Sequence, residues 1–147
     1  MSKEQNTAAT RRILEEAWNK GNLTVIDEYV APGAVNHDPN NPTASGPEGI
    51  KQLISMYRSA FPDVHFAIEQ EIADGDYVVH RLMATGTQRG ALPGLPATGK
   101  RATVTAIVIN RFKDGKIVEG WAISDQLGLL QQLGVVPTAE QMAAAKR

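Results

Sequence analysis

The apolar positions change period at about Pro62. Before it they recur at helical spacing. Ile13, Leu14, Ala17 and Trp18 follow a Thr/Asn-rich start and precede Gly21, where a helix end favours a left-handed residue. Leu23, Ile26 and Val30 predict a short second helix ended by Ala31-Pro32-Gly33. Val35 to His37 reads as a brief strand before the irregular loop DPNNPTASG. Ser45 to Glu48 has the form of a capping box, and Ile50, Leu53, Ile54, Tyr57 and Phe61 mark one face of a third helix stopped by Pro62.

After Pro62 the pattern alternates. Val64 to Ala73, Tyr77 to Gly86, Thr103 to Lys113 and Lys116 to Ser124 are rich in β-branched and aromatic residues, with Asp74-Gly75 and Asp114-Gly115 as hairpin turns. Between the middle two runs lies QRGALPGLPATGKR, a Gly/Pro-rich loop expected at a pocket rim. Leu127, Leu129, Leu130 and Leu133 predict a short closing helix, and VVPTAEQMAAAKR is expected to be a loosely held tail. Helices followed by strands predict an α+β fold: a curved antiparallel sheet with three N-terminal helices on one face and a short C-terminal helix.

Composition narrows the function. A chain of 147 residues, 42% hydrophobic, suits a single domain over 1–147 with its core at about 7–134, and therefore one pocket rather than an interdomain cleft. Fifteen basic and sixteen acidic residues are dispersed along the chain, so no footprint for nucleic acid or an anionic membrane stands out. A small, neutral-to-apolar partner is the better expectation. Without cysteine there is no disulfide and no thiolate chemistry. No metal-spaced cluster or phosphate-binding glycine motif is present, and the polar N-terminus with no long apolar run leads us to expect a soluble cytoplasmic protein.

The ordered motifs WNKGN, YVAPGAVNHDP, GPEGI, FPD, GTQRG, PATGK, FKDGKIVEGW and DQLGLLQQLG resemble those of the SnoaL-like polyketide cyclases, within the nuclear transport factor 2-like superfamily. The resemblance covers roughly Thr7 to Gly134. It implies a cone-shaped α+β barrel, usually a homodimer, with a deep pocket that needs no cofactor or metal. It also implies a small apolar or aromatic carbonyl substrate. An aspartate matching Asp125 would serve as acid/base for an intramolecular aldol ring closure.

Asp125 keeps two readings from the residues themselves. It precedes an apolar helical run, where aspartate is a favoured N-cap. It also shares a strand face with Glu119, Trp121 and Ile123, so it lines the pocket if Trp121 does. His37, Arg81 and Gln88 are candidate donors to a developing oxyanion. His37 lies where related cone-fold enzymes place a polar pocket residue, although a turn contact to Asp38-Pro39 would also suit it. Arg81 either pairs with Glu119 or points into the cavity, while His80, on the opposite face, is expected at the surface or a dimer interface. Gln88 stands where the family commonly has histidine, which leaves it hydrogen bonding only. Trp18, Tyr57, Met83 and Trp121 are core residues of which some should touch substrate. A non-catalytic carrier of small apolar ligands would use the same pocket. An epoxide hydrolase, with an arginine resembling Arg81, would need carboxylates near Met83 and Ile123, which this chain lacks.

Overall fold

The computed structural model describes residues 2–145, and Ser2 already caps a helix. The Ser2 hydroxyl accepts from Gln5 N at 3.1 Å while Gln5 Oε1 accepts from Ser2 N at 3.0 Å, so α1 (Lys3–Arg12) starts well before the first apolar stripe. It runs on into a wider π-helical stretch, Ile13–Asn19, and the chain reverses at Gly21, whose φ of 81° favours glycine. After α2 (Thr24–Tyr29) comes β1 (Val30–His37), longer than the three residues expected. Helix α3 (Gly46–Ala60) is not opened by a capping box. Ser45 Oγ instead accepts from Asn36 N at 3.0 Å, tying the helix start to β1.

The long strands β2 (His65–Asp74), β3 (Tyr77–Thr87), β4 (Arg101–Lys113) and β5 (Lys116–Ser124) form the expected antiparallel meander. β1 adds a parallel edge, giving the order β1-β5-β4-β3-β2. Asp114 and Gly115 both have positive φ, as a two-residue hairpin with the right twist requires. Bulges between Ile68 and Gln70 and between Arg111 and Phe112 bend the sheet. Helix α4 (Gln126–Gln132) packs Leu129 against Ala102 and Phe61, and a further exposed helix, α5 (Ala139–Ala145), occupies much of the expected tail. Lys146 and Arg147 of that tail lie outside the described residues.

The helices cover one face of the sheet only. On that inner face stand Val78, His80, Leu82 and Ala84 of β3, Ala102 to Asn110 at alternate positions of β4, and Gly120, Ala122 and Ser124 of β5. One apolar cluster, around Ile26, Ile54, Val78, Phe112 and Ile117, closes one end beneath the helices. A second, around Phe61, Ala102, Leu129 and Leu133, closes the other. Helix α1 is held to the sheet by a polar clamp: the Arg11 guanidinium donates to Glu71 from two of its nitrogens, Nη2 to Oε1 and Nε to Oε2 at 2.8 Å, and Glu71 Oε2 also lies 2.8 Å from His80 Nε2.

The 88–101 loop is fastened by Gln88, which is fully buried. Its Oε1 accepts from Thr98 N at 3.1 Å and Thr98 Oγ1 at 2.7 Å, and its Nε2 donates to Pro96 O at 3.3 Å. Its amide is thus used up within the loop.

Two outcomes follow. Gln88→Ala strands the loop's buried donors and should cost about 1–3 kcal/mol, read by urea unfolding. The Arg11 pair, followed by the His80 contact, holds the Glu71 carboxyl below its ordinary range against the opposing effect of burial. Its contribution is therefore complete above the ordinary carboxylate range and is lost as pH falls through the folded-state value. Arg11 is largely solvent-exposed, which weakens the pair, so Glu71→Gln should cost about 1–2 kcal/mol at neutral pH. That cost should vanish once both states are protonated, as unfolding curves on either side of the carboxylate range would reveal.

Candidate active site

The bent sheet and the helices do not meet along their whole length, and a cavity of about 240 Å³ remains between them. Its walls are apolar. Leu14 and Trp18 come from the first helix, Leu53 and Tyr57 from α3, and Leu82, Val104, Ala106 and Val108 from the sheet. Trp18 lies with its ring centre 5.0 Å from Phe66 and 6.3 Å from Tyr57, so the aromatic wall is a packed group rather than isolated side chains. The small residues Ala84, Ala106, Ala122 and Gly120 leave the space that larger side chains would fill.

The polar lining is sparse: beside Thr10, Thr85, Ser124 and Gln126, its ionisable groups fall into two places. The first is at the end of β1, where Asn36, Asp38 and Asn41 face the cavity with Tyr57. Asp38 Oδ1 accepts from Asn40 N and Oδ2 from Asn41 Nδ2, both at 3.0 Å, so the Asp38 to Asn41 turn holds the carboxylate in place. Burial, reinforced by the neighbouring Asp38 charge, raises the Tyr57 phenol above its ordinary value despite the opposing contact with Asn41, so it remains a proton donor at neutral pH. Asn36 and Asn110 approach each other over Gly120. A Cβ there would lie 2.9 Å from Asn110 Oδ1 and 3.2 Å from Asn36 Oδ1, so glycine keeps both amides in position. The second polar place is His80, on β3 beneath α1. Among the described residues no group of three His, Cys, Asp or Glu side chains converges as a metal centre would need.

Of the residues proposed from the sequence as catalytic or substrate-binding, Trp18 and Tyr57 line this cavity. The others stand elsewhere. Glu119, Trp121 and Ile123 do share a face, but it is chiefly the outer one. Trp121 stacks on His37 at 5.4 Å, and His37 Nε2 lies 2.8 Å from Glu119 Oε2. His37, Trp121 and Ile123 line an open outer cleft with Pro39, Pro42, Ile107 and Ile109, and Asn36 and Asp38 at the end of β1 border both this cleft and the inner cavity. Arg81 is exposed on the same outer face and donates to Gln70 Oε1 at 3.3 Å. Glu119 instead pairs with Arg111, so neither expected position of Arg81 is found. Met83 is on that side too, level with Thr105. Gln88 and its loop contribute nothing to the cavity wall. Asp125 caps α4, its Oδ1 accepting from Gly128 N at 2.9 Å, and it is exposed while its neighbours Ser124 and Gln126 line the cavity.

His80, expected at the surface or a dimer interface, is instead buried at the cavity, and Asp38 is the ionisable lining group that the sequence did not single out. The run YVVHRLMA has apolar residues on both faces, so its alternation alone does not say which face is inside. A signal existed, since counting outward from the 75–76 turn sets Glu71 opposite His80, a pairing suited to two inward polar groups. Asp38 belongs to the expected turn, and turn residues also reach the cavity.

The chain's residues 8–133 match the family model described as SnoaL-like polyketide cyclase. The aklanonic acid methyl ester cyclase DnrD of Streptomyces peucetius is 34% identical over 129 residues, covering 84% of this chain and 87% of that protein. The nogalonic acid methyl ester cyclase of Streptomyces nogalater is 31% identical over 120 residues, covering 80% and 90%. Among solved structures, TsrD from Streptomyces laurentii superposes with a TM-score of 0.83 at 29% identity, covering 92% of this chain and 99% of that one. With the helix-covered curved sheet and its apolar cavity, these matches place the chain in the SnoaL-like polyketide cyclase family.

Proposed function

We propose that the protein is a cofactor-independent cyclase that closes a ring in a small polyketide-type carbonyl compound by intramolecular aldol addition. The observation that carries this reading is the apolar cavity with one fixed carboxylate, Asp38, beside a protonated phenol, Tyr57. The Asp38 carboxylate takes a proton from a carbon next to a carbonyl. The enolate carbon then bonds to a second carbonyl carbon of the same molecule, and that carbonyl's π pair moves onto its oxygen. Asp38 returns the proton to this alkoxide, so the reaction is an isomerisation that consumes no other reactant. Tyr57 donates a hydrogen bond to the developing oxyanion, in surroundings where such a donor counts most. A substrate filling the cavity excludes water from the carboxylate, the circumstance that strengthens a carboxylate as a base.

A second reading keeps Asp125 as the acid/base group, supported by its place between two cavity-lining residues, Ser124 and Gln126. On that reading its carboxylate would turn inward from the α4 cap when substrate binds. Assembly is a separate inference. Val35, Ile107 and Ile123 are 47%, 45% and 60% exposed around Trp121 on the outer face, and we infer that a second copy covers this face in a homodimer.

Turnover of an aromatic polyketide methyl ester by two variants separates the readings of the base. Asp38→Asn should lose about 10²–10⁴ in rate. Asp125→Asn, which preserves an N-cap, should change rate and stability little. The reverse pattern would transfer the role to Asp125, and full rates in both variants would end the acid/base account. Light scattering should give twice the chain mass for the wild type and the chain mass for Ile107→Asp, whereas a wild-type monomer would contradict the dimer.

A further inference from the structure

His80 is only 2% exposed, yet it lines the cavity. Its Nε2 is engaged by Glu71 at 2.8 Å, and Glu71 is itself gripped by Arg11. With a carboxylate on Nε2, that nitrogen carries the hydrogen and the ring orientation is set. Nδ1 has no hydrogen-bond partner among the described residues. No sealed side-chain polar atom lacks a partner there, so Nδ1 is not sealed in protein, and the cavity that His80 lines is the space beside the ring. With the hydrogen on Nε2 alone, Nδ1 is an acceptor in a nearly buried ring beside a mostly apolar cavity, and such a group is costly to cover unless a ligand meets it.

The sheet register shows what shape of ligand would meet it. His80 pairs with Val108 and Val108 with Ala122, while the last pair of β1 is His37 with Trp121, and Asp38 is the next residue, which the same register would carry to the level of Ala122. His80 and Asp38 thus stand at the two ends of one row running across β3, β4, β5 and the end of β1, with two small apolar side chains between them. Three strand spacings make this row about 14 Å along the sheet, less across its concave side. A flat ring system laid over Val108 and Ala122 would touch both ends.

Building on the cyclase reading, we propose that this cavity selects a ring system bearing a phenolic or enolic hydroxyl, which donates to His80 Nδ1 while the reacting carbons lie at Asp38. His80 is then a specificity residue held by Glu71, and it takes no proton in the ring closure. A ligand whose oxygen cannot donate would cover Nδ1 and leave it unpaired.

The test uses 1-naphthol and 1-methoxynaphthalene as probes of the full chain at pH 8, with affinity measured by calorimetry and the His80 ring nitrogens followed by NMR. The expected result is binding of 1-naphthol about 10-fold tighter, the difference made by one hydrogen bond to a buried acceptor. The Nδ1 signal should move only with 1-naphthol, and His80→Phe should abolish the preference. The wild-type NMR arm stands even if that variant fails to fold. Equal affinities, an unmoved Nδ1 signal with 1-naphthol bound, or no binding of either probe would overturn the proposal. None of these readouts requires turnover, so loss of this inference is distinct from loss of the cyclase reading, which rests on the Asp38→Asn rate.

Discussion

A pleated strand offers every residue one of two faces, and in this protein the helices cover only one of them. That one-sided covering governs the rest. It makes the inner face of β3, β4 and β5 a wall of small and aliphatic side chains and leaves the outer face to Arg81, Trp121 and the His37, Glu119 and Arg111 group. A shift of one residue in register would exchange the two sets and destroy the cavity. The register is pinned where an exchange would be most damaging, by the 75–76 and 114–115 turns and by the clamp that Arg11 and Glu71 form over His80.

The cavity exists because the bent sheet and the helices close on each other at two apolar clusters and not between them. Alanines and Gly120 keep the middle open, and Gly120 also lets Asn36 and Asn110 share one spot at the rim. Most of the lining therefore binds by shape and exclusion of water. Orientation falls to a few polar groups held from behind: Asp38 by its own turn, and His80 by Glu71 and Arg11. Such support is what a site needs if a carboxylate is to act in one geometry.

Much of the fold was legible in the sequence, because periodicity and turn chemistry are local. The strands from His65 to Ser124 lie within a few residues of their expected limits, and helix α3 ends at Ala60 with Phe61 as its cap, just before Pro62. The misses came from interactions that local pattern does not contain. Ser45 was recruited by β1 rather than by its own helix, and β1 lengthened because β5, far along the chain, supplied a parallel partner. The site was less legible for the same reason. Parity correctly grouped Glu119, Trp121 and Ile123, but which face becomes the inside is decided by where the helices dock. Arg81 and His80 consequently exchanged their expected positions. Asp125 is seen in one of its two expected roles, the cap to Gly128, while its neighbours Ser124 and Gln126 line the cavity.

The central claim is that chemistry occurs in the helix-covered cavity, with Asp38 as its carboxylate. A crystal structure with a ring-closed product bound tests it most directly. The account predicts product between Trp18 and the β4 wall, with an oxygen or the reacting carbon within hydrogen-bond reach of Asp38. Product seated in the outer cleft against Trp121 and His37, or inside the cavity with Asp125 as its nearest carboxylate, would contradict it.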